Sequence, residues 1–128
     1  MDESQVRSDL KKLAKKNKYI KVLYDTIEDH KRKLQYVSDE KLETELNETI
    51  KKFDKVTKDV VKLEEKYLKY IFELDDYAMQ SAVLGHYVLC KPTWKVASEL
   101  SYSDSAVEKM YPKACREIAE MMNKKARN

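Results

Sequence analysis

Between Tyr102 and Lys113 the chain carries a set of side chains suited to hydrogen bonding at the edges of DNA bases. Lys109 can donate to guanine O6 and N7, Ser105 can donate or accept at several bases, and Asp104 or Glu108 can accept from cytosine N4. Tyr102 and Ser103 precede them, at what reads as a helix start. Lys91, Thr93 and Lys95 lie upstream, within reach of a sugar–phosphate backbone, and Lys113 and Arg116 add two more cations for phosphate. Asp104 and Glu108 oppose a polyanion. General affinity from this segment is therefore weak, and specific contacts or dimerisation have to supplement it.

Other chemistries lack their parts. There is no glycine-rich phosphate loop, no His-Glu-x-x-His and no Cys-x-x-Cys. His86 and Cys90 stand four apart, but two ligands do not make a structural zinc site. His30 sits among charged residues and reads as a surface side chain. Of the nine tyrosines, Tyr24, Tyr67 and Tyr70 fall on apolar stripes and read as core. The cluster Lys11, Lys12, Lys15, Lys16, Lys18 and Lys21 reads chiefly as a solvated face or a partner for an acidic helix, with phosphate contact as the lesser alternative. Neither a catalytic residue nor a metal or cofactor site is expected.

The elements that position the carboxyl-terminal set can be read from caps and breakers. Asp75-Asp76 offers an N-cap, and apolar residues at 79, 83, 84, 87 and 88 give a short amphipathic helix from Tyr77 to Leu89. Gly85, the only glycine, sits inside it at a cost of about 1 kcal/mol against alanine, which points to close packing of another helix. Pro92 ends that helix and Thr93 is expected to cap the next, whose Trp94, Ala97 and Leu100 share a face read as buried. After the turn Ser101-Tyr102, Ser103 caps a further helix lined by Val107, Met110, Ala114, Ile118 and Met121. Pro112 is expected to end or kink it near Tyr111, leaving residues 113–125 as a separate or bent segment. This is the spacing of a helix-turn-helix, which presents the start of its second helix to the major groove.

The rest of the chain is a scaffold. Val6, Leu10, Leu13, Asn17, Ile20, Tyr24, Ile27, Lys31 and Leu34 form one heptad stripe with two polar interruptions. Leu42, Leu46, Thr49, Phe53, Val56, Val60, Leu63, Tyr67, Tyr70 and Leu74 form a second. The link between them is short, with Ser38 as the expected N-cap, so the two helices run antiparallel. The expected fold is all-α: a long antiparallel, coiled-coil-like hairpin over 1–74, serving oligomerisation, and a helix-turn-helix module over 75–128.

Composition agrees with that fold. One glycine and two prolines in 128 residues leave too few turns for a sandwich, a barrel or a doubly wound sheet. Charged residues make up 38% of the chain, as in long amphipathic helices. Residues 1–33 carry 10 basic and 6 acidic side chains, residues 34–77 carry 8 and 12, and residues 78–128 carry 8 and 5. The hairpin arms are thus complementary, and the last segment keeps a positive surplus. Two cysteines, a polar amino terminus and the lack of a bilayer-length apolar run point to a soluble cytoplasmic protein with reduced thiols and no membrane partner.

The run Val83-Leu84-Gly85-His86-Tyr87, then Thr93-Trp94-Lys95-Val96-Ala97-Ser98-Glu99-Leu100-Ser101-Tyr102-Ser103, then Val107 and Lys113-Ala114, resembles a known module. It is similar to the helix-turn-helix of phage late-gene transcription regulators of the ArpU and RinA type, which looks in turn like region four of bacterial sigma factors. The likeness covers roughly the last third of the chain. It implies a sequence-specific DNA-binding activator of phage genes in a bacterial host. Pro112 and the modest positive charge of the reading helix depart from the family pattern. The partners expected are double-stranded DNA, a second copy of the chain through the hairpin, and host RNA polymerase. Two alternatives are an adaptor that binds the polymerase or a phage protein, and a small terminase-like DNA-packaging subunit.

Overall fold

The computed structural model describes residues 1–127; Asn128, the last residue assigned to the carboxyl-terminal module, lies outside the described residues. Among the described residues the chain is all-α, without a strand. Helix α1 spans Glu3–Leu34 and α2 spans Glu40–Phe72, each close to 50 Å long at 1.5 Å per residue. Asp9 meets Tyr67, Lys16 meets Asp59 and Tyr24 meets Phe53, so the two run antiparallel. Helix α3 (Tyr77–Val83) continues into a π-helical turn (Leu84–Val88), followed by α4 (Thr93–Leu100) and α5 (Asp104–Arg127).

Carboxylates start most of these helices. Asp2 accepts from the Gln5 amide at 2.9 Å, Asp39 from the Leu42 amide at 3.1 Å, and Asp76 from the Ala78 amide at 2.9 Å. Each places negative charge on the positive end of a helix dipole, and Lys31, Arg32 and Lys33 complement the negative end of α1. The cap of α2 is Asp39, not Ser38: the helix begins one residue later than expected, where a full charge rather than a hydroxyl faces the dipole.

The three carboxyl-terminal helices pack on the open end of the hairpin. A single apolar cluster joins Val6, Leu10 and Leu13 of α1 and Val60, Tyr67 and Ile71 of α2 to Met79, Val83, Tyr87, Ala97, Val107, Ala114 and Ile118. This third partner alters the stripe of α1. Near its start α1 faces α2, α5 and the π turn together. Further along it faces α2 alone, so the inward direction rotates and Leu23, not Tyr24, is buried. Tyr24 is 54% exposed, its ring centroid 6.4 Å from that of Phe53 and tilted by 45°. His30 is half-buried, not at the surface: its Nδ1 is enclosed without a hydrogen-bond partner, 3.9 Å from Asp29.

Gly85 has the packing role expected of it. A Cβ there would meet Val96 Cγ2 of α4 at 3.3 Å. The backbone around it departs from a plain helix: the Leu89 amide donates to the Leu84 carbonyl and the Lys91 amide to the Gly85 carbonyl, both at 2.9 Å. Cys90 then turns the chain with a left-handed φ of 59°.

Three local expectations fail. Thr93 is the first residue of α4 and does not cap it; its hydroxyl meets the Tyr111 hydroxyl at 3.2 Å instead. Trp94 is 63% exposed, because α4 turns Val96 and Ala97 inward against Gly85 and α5, and Trp94 falls outside that arc. Helix α5 runs unbroken through Pro112. The proline removes one backbone donor, whose acceptor would be the carbonyl of the exposed Glu108, while Tyr111 beside it is held by stacking on His86 at 4.7 Å. Trp94→Ala is therefore expected to cost less than about 1 kcal/mol in urea unfolding, against the roughly 3–5 kcal/mol of a buried tryptophan.

Candidate nucleic-acid interface

The elbow between α4 and α5 is built from backbone bonds and one hydroxyl. Ser101 adopts a left-handed φ of 60° at the end of α4. The Tyr102 amide donates to the Ala97 carbonyl at 2.9 Å and the Ser101 amide to the Ser98 carbonyl at 3.3 Å, closing the helix end where glycine is the usual residue. Ser103 Oγ then accepts from the Ala106 amide at 3.1 Å and starts α5, the cap its position suggested. Ala97 and Val107 are buried at the α4–α5 contact, and Leu100 is half-buried beside them.

This frame leaves the first turns of α5 facing water. Tyr102, Ser103, Asp104, Ser105, Glu108, Lys109 and Lys113 are all exposed, while Val107, Tyr111, Ala114, Cys115 and Ile118 point into the cluster. The exposed set therefore lies together on one outward surface. A helix with its side chains is about 10–12 Å across, close to the width of the major groove.

The flanking candidates are not equally free. Lys91 is half-buried and pairs with Glu99 at 2.8 Å. Thr93 is tied to Tyr111. Arg116 reaches Glu3 of α1 at 3.6 Å. Lys95, Lys109 and Lys113 are exposed and make no ion pair among the described residues.

Behind the surface sits an aromatic layer. Tyr87 and Tyr111 meet edge to face at 5.6 Å, and His86 stacks on Tyr111. Burial pushes the Tyr87 hydroxyl up to about 12. His86 Nδ1 contacts the Lys91 carbonyl at 2.9 Å, which couples the ring to the loop before α4. Among the described residues no three His, Cys, Asp or Glu side chains converge on a metal-sized site, and no helix is long and apolar enough to cross a membrane.

Two surface features follow only from the packing. Leu89 and Trp94, 61% and 63% exposed, put apolar side chains on the loop and the helix that lead into the elbow. The α1 lysines also lie next to the carboxyl-terminal module, an adjacency that only the packing of α1 on α5 and the π turn creates. No protein-family model, curated protein or solved structure matches the chain.

Proposed function

We propose that this protein is a sequence-specific regulator of transcription that binds duplex DNA through the start of α5, in the manner of the phage late-gene activators its carboxyl-terminal third resembles. One observation carries the reading: a capped, outward helix start displays Ser105, Glu108 and Lys109 as hydrogen-bonding groups while its opposite face is locked into the core. A helix backbone so held can offer these side chains to base edges without itself having to order on binding.

The proposed active form is a dimer through the far half of the hairpin. There Val22, Tyr24, Tyr36 and Val37 are more than half exposed. A selection from a random duplex library is expected to enrich a two-fold or direct-repeat motif, with half-sites separated by multiples of about 34 Å. Absence of any motif, together with no retention on duplex at low salt, would overturn the proposal. Solution mass accompanies it: twice the 15.2 kDa chain fits the dimer, and a large ring favours a packaging subunit.

The exposed Leu89 and Trp94 favour a second reading, an adaptor that docks these residues on host polymerase or a phage protein. Under that reading, substitution of Trp94 abolishes partner binding and leaves any DNA binding intact.

A further inference from the structure

The reading surface of α5 carries no net charge, since Asp104 and Glu108 balance Lys109 and Lys113. Nonspecific affinity for a duplex comes almost entirely from neutralised phosphates, so a DNA-binding chain of this kind needs cations elsewhere. Residues 4–24 of α1 hold seven basic side chains and one acid, Asp9. Asp9 is buried and faces Lys66 of α2.

Pairing with the acidic arm of the hairpin accounts for little of this charge. Of the six lysines from 11 to 21, only Lys16 reaches an α2 carboxylate, Asp59 at 3.3 Å. Lys11, Lys12, Lys15, Lys18 and Lys21 are exposed and without an ion pair among the described residues. Arg7, Lys11, Lys12 and Lys15 line a shallow basin of about 430 Å³, to which Ser4 and Ser8 add hydroxyls.

The stripe lies against the module that carries α5. Glu3 reaches Arg116, and the Cys90 thiol lies 3.7 Å from the Ala14 carbonyl. Burial raises the Cys115 thiol and Arg7 and Lys11 oppose the rise, while Lys18 and Lys21 oppose it at Cys90. The lysines therefore follow the flank from α5 to the loop before α4. Lys11, Lys15 and Lys18 share one helix face and span about 10 Å of axis, the rise of about three phosphates along one strand.

We propose that Lys11, Lys15 and Lys18 of α1 form a second DNA-contact surface that holds the phosphates of one strand beside the groove entered by α5. The inference rests on the DNA-binding reading above and deepens it: α5 selects the sequence, and α1 supplies sequence-independent affinity.

The test uses the full chain with Lys11, Lys15 and Lys18 changed together to Gln, a residue that keeps helix propensity. Binding to a random-sequence duplex of about three turns is followed by anisotropy between about 50 and 200 mM salt. The variant is expected to bind about a hundredfold more weakly at about 50 mM salt, with a salt slope shallower by about 3. The motif enriched from a random library should stay the same, and Lys→Arg at the three positions should restore binding. Circular dichroism checks the fold, and single Lys→Gln variants, each removing about one unit of slope, serve if the triple variant unfolds. Wild-type affinity and slope in the Gln variants, with a motif still enriched by the wild type, overturns the α1 surface and leaves the α5 reading standing. Failure of the wild type to enrich any motif or to bind duplex overturns the reading itself.

Discussion

Asp9→Ala is expected to destabilise the fold by about 3 kcal/mol and to lower the melting temperature by roughly 10 °C. Asp9 is 6% exposed, deep between α1 and α2. Its carboxylate accepts from the Tyr67 hydroxyl, from Lys66 Nζ at 3.2 Å and from Gln5 Nε2 at 3.2 Å. Removing it leaves the buried Tyr67 hydroxyl without its acceptor, and that orphaned group carries most of the cost. Lys66 is 43% exposed and can turn to water, so its share is small. Tyr67→Phe alone should cost about 1–2 kcal/mol. The pair Asp9→Leu and Tyr67→Phe should lose clearly less than the sum of Asp9→Leu and Tyr67→Phe made singly, because no buried hydroxyl is then left unpaired. Strict additivity in urea unfolding would mean that the two side chains act independently.

The same carboxylate sets an acid limit on stability. Burial is the largest influence on Asp9 and raises its pKa, but the hydrogen bonds from Tyr67, Lys66 and Gln5 and the charge on Lys66 together outweigh it and hold the pKa below the ordinary value. A group whose folded pKa is depressed stabilises the fold above its unfolded pKa of about 3.9, and that contribution is lost as pH falls through the folded value. Stability measured from pH 6 downward should therefore decline from about pH 4. Asp29, held low by Lys33 and Arg32 at the surface, titrates in the same window, so the contribution of Asp9 is the difference between wild type and the Asp9→Leu, Tyr67→Phe pair.

The hairpin, the caps at Asp76 and Ser103 and the close contact at Gly85 were legible because each depends on neighbours in sequence. Heptad spacing names a face, an aspartate or serine before an apolar run names a start, and a lone glycine in a helix names a close approach. Trp94 and Tyr24 were misread for the opposite reason. A stripe on one helix gives a direction only if a single partner defines inside. Helix α1 has three neighbours at one end and one at the other, and α4 packs through its narrow Val96–Ala97 side. Pro112 does not break α5 because the helix is anchored on both sides of it, by Tyr111 against His86 and by Ala114 in the core, and local preference carries neither anchor. The outward residues of α5 followed correctly from Val107 and Ala114 as its inner face. That Lys91, Thr93 and Arg116 are engaged within the chain could not be read, since Glu99, Tyr111 and Glu3 meet them only in three dimensions.

The largest functional effect is expected from Lys109→Glu with Lys113→Glu: a loss of about a thousandfold in duplex affinity with the fold intact. Both side chains are exposed on the outer surface of α5 and neither holds an ion pair among the described residues, so their reversal breaks no internal contact. Unfolding free energy should move by no more than about 0.5 kcal/mol, as for surface substitutions generally. Under the proposed DNA-binding reading, the change removes one base contact worth about 1–3 kcal/mol and one phosphate contact, and sets four negative side chains, with Asp104 and Glu108, against the polyanion. The effect should shrink as salt rises, because most of it is charge. An adaptor that works through the hairpin or through Leu89 and Trp94 would keep its partner and its activity in this variant. Retained affinity for the selected duplex, with unfolding unchanged, would remove α5 from the interface.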